Sequence, residues 1–246
     1  MFSSTRRKDV EQIYTIPVNE AFDECREKKE CGCPICRLYL KLQENELDII
    51  LGASMMEPDI RIQTNEQGFC LTHYNMMLGR RRMLGMGLMM ESHLADVMKM
   101  LDGPTLIGNK SAAAVNALGE LEDSCYVCQR VEKNLSAMTS TVVYLYETDF
   151  DFREKLKAQP WFCLPHYRRL VDYAAKKMPK RIFKDFYNDI HSLEKRYLEE
   201  LSADVSWFCK KFDYRYGDEP WYNSKDAVKR GIRFLGGSFG EEIEKK

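Results

Sequence analysis

The hexapeptide FCLTHY at 69–74 returns as FCLPHY at 162–167, and a CxxC knuckle precedes each copy by nearly the same distance. The step from Cys33 and Cys36 to Cys125 and Cys128 is 92 positions, and that from Cys70 and His73 to Cys163 and His166 is 93. Such self-similarity is an internal duplication. What it repeats is three thiols and one imidazole, the usual ligand complement of a closed four-coordinate zinc site. Any fold available to this chain must bring these side chains together.

Each ligand pair has a local reason to converge. A CxxC turn directs two sulfurs toward one point, and Pro34 in CPIC restricts the first turn further. A Cys and a His three positions apart at the start of a helix share one face. The partial positive charge of a helix N-terminus also favours the thiolate form that binds metal. With 33 residues between the pairs in the first repeat and 34 in the second, each repeat is expected to close its own site. Cys33, Cys36, Cys70 and His73 would hold one ion, and Cys125, Cys128, Cys163 and His166 a second. Zinc is the expected cofactor, two ions per chain, with an iron–sulfur centre the secondary option for so thiolate-rich a set. Buried cysteines left over from a duplication are the simpler alternative, but that reading leaves the repeated histidines unexplained.

Four protein ligands leave no open position for water or substrate, which weighs against zinc-activated hydrolysis and against an enzyme. No P-loop, GxGxxG following a strand, GxSxG, HExxH or kinase signature occurs. Lys plus Arg number 37 against 38 Asp plus Glu, so no global field attracts nucleic acid or an anionic membrane. The N-terminal segment lacks the apolar stretch of a secretory signal, and no run is long enough to span a bilayer. The expectation is a cytoplasmic protein in which the nine cysteines serve as metal ligands or free thiols more readily than as disulfides.

Apolar residues recur at helical spacing through most of the chain, and the predicted fold is all-α. It is a pseudo-duplicated helical domain with two Cys3His sites and an irregular C-terminal segment. A helix is predicted from just after Cys36 to about Leu51, followed by a loop from Pro58 through Gly68. A second runs from Cys70 to about Arg82 with a kink or break at Gly85 and Gly87. Leu94, Val97, Met98 and Leu101 give the face of the next. Val127, Val131, Leu135, Met138, Val142 and Leu145 form a stripe to about Tyr146, and a short helix is expected at 152–157. After Cys163 a helix reaches about Met178, and a long stripe runs from Ile182 to Phe212. A last short helix spans about Ser224 to Phe234, with Ser224 as its cap. The expected organisation is 1–102 for the first half, 103–124 for a linker and connecting helix, 125–212 for the second half, and 213–246 for a C-terminal extension.

Cys25, Cys31 and Cys209 stand outside the repeat. Cys31 is close enough to Cys33 to exchange as a ligand or attack an oxidised neighbour, although an ordinary spare thiol is the plainer account. Cys209, on the long stripe, is expected in the core. His93 and His191 have no repeated partner and read as ordinary helix residues. Arg80–Arg82 and the cluster Lys176, Lys177, Lys180, Arg181 and Lys184 read as solvated helix faces, so nucleic acid is the weaker expectation for a partner and another protein the stronger.

YTIPVNEAF at 14–22, CPIC at 33–36, MEPDIRIQTNEQGFCLTH at 56–73, FCLPHY at 162–167 and KFDYRYGDEPWYNSKDAVKRGI at 211–232 together resemble an uncharacterised bacterial family of the domain-of-unknown-function kind, found in anaerobic Gram-positive bacteria. The resemblance covers nearly the whole chain. It implies a paired CxxC/CxxH architecture on the eight positions named above and no established activity. The second knuckle, CYVC, departs from it by lacking the proline of CPIC, which leaves that turn less preorganised. The functional expectation is a zinc-binding scaffold or interaction protein with two structural sites, and the rival is a thiol-based redox or metal-responsive regulator with one labile site.

Overall fold

The computed structural model describes residues 13–52, 56–103 and 110–237. Among these there are eleven α-helices and no strand. They are α1 (Thr15–Glu27), α2 (Pro34–Ile50), α3 (Pro58–Gln67), α4 (Leu71–Gly79), α5 (Met83–Asp102), α6 (Lys110–Glu122), α7 (Tyr126–Thr148), α8 (Phe150–Lys157), α9 (Leu164–Lys177), α10 (Lys180–Lys210) and α11 (Ala227–Gly236). Single 3-10 turns occupy Lys29–Cys31 and Tyr214–Tyr216. The predicted fold class is the observed one.

Several elements differ in detail from the sequence reading. Helix α1 was not expected, although Val18, Ala21, Phe22 and Cys25, all buried, carry the helical period. Pro58 begins a helix and not a loop, because its fixed φ and missing N–H suit the first helical position. The break after α4 comes at Arg80–Arg82, where Arg81 adopts φ +56°, and Gly85 and Gly87 lie inside α5. The β-branched run in α7 does not interrupt it. Thr139 and Thr141 turn their hydroxyls back to the carbonyls of Leu135 and Ala137, at 2.7 and 3.1 Å. The last helix starts at Ala227, while Ser224 donates to the Trp221 carbonyl. Of the expected linker, residues 104–109 lie outside the described residues.

The chain forms two compact units, Met1–Leu40 with Leu135–Lys246, and Lys41–Asn134. Their boundaries fall inside α2 and inside α7, not at the repeat boundary near 102–125. The second unit is thus inserted, in sequence, into the first.

The discontinuous unit has a densely aromatic core. Phe22 packs on Phe152 and Phe162, Tyr146 meets Phe186 edge to face, and Trp161 stacks on Tyr197 at 5.0 Å. Rings in such offset or edge arrangements contribute about 0.5–1.5 kcal/mol per pair beyond their burial. Asp149 caps α8 by accepting from the backbone N–H groups of Asp151 and Phe152. The continuous unit packs α3, α4 and α6 on α5. Here Leu94, Met98 and Leu101, predicted as the packing face of their helix, are exposed. Met77, Met86 and Met89 are buried instead.

Candidate metal centres

Each knuckle is formed by a chain turning into a helix. Ahead of α2, Gly32 takes a left-handed φ of +74°, and a Cβ there would stand 2.8 Å from Trp161 Cζ2. Only glycine allows this turn to lie against the indole. The Arg37 N–H then donates to the Cys33 carbonyl at 3.2 Å, beginning the helix over the knuckle. In the second copy the roles are exchanged. Ser124 occupies the place of Gly32, and Gly68 occupies the place of Trp161. The Ser124 hydroxyl donates to the Gln67 carbonyl at 2.7 Å, and the Tyr126 N–H donates to the Gly68 carbonyl at 3.0 Å. Pro34, at the position matching Tyr126, has no N–H to make that bond. The second knuckle therefore replaces proline's rigidity with a hydrogen bond to the segment that carries its partner ligands.

The CxxH pairs sit at helix starts, as expected. Cys70 and Cys163 are the N-cap residues of α4 and α9, and His73 and His166 lie in the first turns.

The grouping, however, corrects the expectation that each repeat closes its own site. Cys33, Cys36, Cys163 and His166 form one group, and Cys70, His73, Cys125 and Cys128 the other. Within each, the four ligand atoms all lie within 4.8 Å of one another. The knuckle of one repeat meets the CxxH of the other. Helix α2, about 25 Å long at 1.5 Å per residue, starts in the discontinuous unit and ends in the continuous one, and α7 runs from the continuous unit into the discontinuous one, so each knuckle and the CxxH pair that follows it in sequence fall in different units. The first group, in the discontinuous unit, is called the outer site and the second, in the continuous unit, the inner site.

In the outer site His166 Nδ1 lies 3.1 Å from Cys163 Sγ, 3.3 Å from Cys36 Sγ and 3.7 Å from Cys33 Sγ, with Cys36 and Cys163 Sγ 3.5 Å apart. All four residues are buried. In the inner site His73 Nδ1 lies 3.1 Å from Cys70 Sγ, 3.3 Å from Cys125 and 3.5 Å from Cys128, and the Cys70–Cys128 distance is 3.9 Å. Here Cys70 is half-buried and Cys128 reaches the surface. The two sites share a donor set and differ in access.

Crowding of the sulfurs sets their protonation. Cys33 is raised well above an ordinary thiol by burial and by its neighbours Cys163 and Cys36. Cys163 is shifted strongly down because Cys33, Cys36 and His166 all hydrogen-bond to it. Burial, with Cys125 and Cys70 nearby, pushes Cys128 up to about 12. Negative charge in such a cluster settles on one sulfur while the others keep their protons. A cation at the centre would replace those protons.

Gln43, buried in α2, was not singled out by sequence. Its side-chain amide lies 2.8 Å from His73 Nε2. This contact fixes the ring so that Nδ1 faces the sulfurs, and burial holds the imidazole neutral by lowering its pKa. The corresponding position in α7 is Leu135, so the one signal available was a polar residue standing where the second repeat has an apolar one.

The remaining cysteines also depart from expectation. Cys25 and Cys31 are joined in a disulfide that closes the turn leading to Cys33. Cys209, expected in the core, is exposed. His93 is held by the Asn65 carbonyl at 3.0 Å, and His191 stacks on Tyr187. Arg80 pairs with Asp48, and Lys176 with Asp172.

Fold and sites together define an all-helical protein with two Cys3His groups that could each hold a metal ion. A family described as a family of unknown function, DUF6062, matches residues 10–242, and the chain belongs to it. No curated protein and no solved structure matches the chain. Among the described residues no helix is long and apolar enough to cross a membrane.

Proposed function

We propose that this protein is a zinc-binding scaffold in which Cys33, Cys36, Cys163 and His166 hold one structural ion and Cys70, His73, Cys125 and Cys128 a second. The observation that carries this reading is the convergence of two complete sets of four donors drawn from both repeats. A zinc tetrahedron with Zn–S of about 2.3 Å and Zn–N of about 2.0 Å has S···S edges near 3.8 Å and S···N edges near 3.5 Å. The observed separations, 3.5 and 3.9 Å between sulfurs and 3.1–3.7 Å between sulfur and Nδ1, bracket those edges, several of them being shorter. The ion would pin helix starts distant in sequence, and structural zinc contributes about 10–16 kcal/mol of apparent binding free energy in finger peptides near neutral pH. The scaffold would work in the cytoplasm and present a surface to another protein. Exposed Leu94, Met98 and Leu101 in one helix support that second part. Elemental analysis of protein purified without added metal tests the assignment, with about two zinc ions per chain expected.

A thiol-based regulator is the second reading, favoured by the Cys25–Cys31 disulfide two residues ahead of Cys33. It predicts that reducing this disulfide alters metal retention at the outer site. Equal retention in Cys25→Ser/Cys31→Ser and wild-type protein, under both reducing and oxidising conditions, would leave the scaffold alone standing.

A further inference from the structure

Helix α5 packs against α3, α4 and α6 and leaves its remaining side bare. Leu84, Gly87, Glu91, Leu94, Met98 and Leu101 follow one another along it at alternating steps of three and four residues, and all six are exposed. With about 3.6 residues per turn they fall within one sector of the helix, the spacing by which one helix packs lengthwise along another. Leu84, Leu94, Met98 and Leu101 are 77, 54, 59 and 60% exposed. They alone offer about 500 Å² of apolar surface per copy, against the roughly 800 Å² per partner that a standard interface covers. Nothing within 4 Å would meet a Cβ at Gly87, so the stripe also carries a notch.

This stripe is complementary to itself. A two-fold axis midway between Gly87 and Met98 lays a second α5 antiparallel to the first. Leu84 of one copy then meets Leu101 of the other, Met98 enters the notch at Gly87, and Leu94 lies beside Glu91, each contact occurring twice. The same axis brings Arg81 and Arg82, exposed just ahead of α5, to Asp102, exposed at its end. Their guanidinium groups would donate to the Asp102 carboxylate and face the negative end of the other helix's dipole. Parallel pairing would set Gly87 against Gly87 and Arg82 against Arg82, matching neither the notch nor the charges. Glu91, the one charge on the stripe, would lie near the axis in both copies and fix the register at a cost in affinity. One patch that fits itself twice defines an isologous dimer. We infer that a second copy of this chain docks on the α5 face, with the two helices antiparallel. The inference rests on the reading that these exposed residues meet a protein, and it is independent of the metal assignment.

Sedimentation equilibrium of the full chain across the micromolar range tests this. Wild type is expected to pass from monomer to a species of twice the mass and to stop there. Leu94→Glu/Met98→Glu puts two carboxylates on each side of the seam and should weaken the dimer at least about 100-fold, with helicity and zinc content unchanged because both side chains are exposed. Glu91→Leu should tighten it about tenfold by removing the charge near the axis. Asp102→Arg should weaken it about fivefold, and adding Arg81→Asp/Arg82→Asp should restore the wild-type value. The proposal is overturned by a wild-type chain that stays monomeric or grows beyond two copies, or by Leu94→Glu/Met98→Glu dimerising like wild type. Glu91→Leu no tighter than wild type, or charge reversals that fail to compensate, overturn it equally. A monomer holding two zinc ions would remove the self-docking and leave the scaffold, whereas a dimer without zinc would do the reverse.

Discussion

Cys36 Sγ lies 3.5 Å from Cys163 Sγ although 127 residues separate them in the chain. Thiols this close, from different copies of a duplicated motif, would make binding of an ion a property of the pair and not of either repeat. Substituting one ligand should therefore remove about one zinc ion, and a second substitution in the same group should remove no more. Cys36→Ser/Cys163→Ser is expected to retain one ion per chain, whereas Cys36→Ser/Cys70→Ser retains none. Elemental analysis of the two double variants decides it, because within-repeat pairing predicts the reverse result.

Access distinguishes the sites. Cys128 reaches the surface, while all four outer ligands are buried. Oxidants and chelators attack an exposed thiolate first. Peroxide or a chromogenic chelator should release the inner ion completely before the outer one, giving two kinetic phases of equal amplitude. Cys128→Ser should abolish the fast phase and leave the slow one.

Proton competition sets the pH dependence. Without a cation Cys128, with its pKa pushed up to about 12, is protonated at neutral pH. Binding an ion releases that proton, so affinity rises with pH below the raised value and falls on acidification. The change should be about tenfold per pH unit for each proton displaced. Competition with a chelator of known affinity at two pH values measures it, and a flat profile would contradict the protonated thiol.

Gln43 orients His73, and its replacement by the residue found at the matching position of the second repeat, Gln43→Leu, removes that contact. Loss of such an outer partner typically costs about 10–100-fold in metal affinity. The weakening should appear at the inner site alone, measured by the same competition assay.

Two glycines should respond in opposite directions to alanine. Gly32→Ala places a methyl 2.8 Å from Trp161 at φ +74° and should destabilise by about 1–3 kcal/mol. Gly119 lies inside α6 with nothing within 4 Å of an added Cβ, so Gly119→Ala should stabilise by about 0.4–1 kcal/mol. Denaturant melts of the metal-loaded proteins provide both values.

The sequence by itself determined the helical class, the donor chemistry and the starts of the helices that follow Cys70 and Cys163, whereas the helix expected just after Cys36 begins at Pro34. These depend on local spacing: Cys and His three positions apart share a helix face, and the stripe from Val127 to Leu145 is buried as its period requires. Helix α1 is equally legible in the spacing of Val18, Ala21, Phe22 and Cys25. Which knuckle meets which CxxH pair was decided only in three dimensions. Motif identity is the same in both repeats, so periodicity cannot rank the pairings; the passage of α2 and of α7 from one unit into the other does. The exposure of Leu94, Met98 and Leu101 and the contact of Gln43 with His73 belong to that same level. Each depends on what a neighbouring element covers, and no local pattern encodes it.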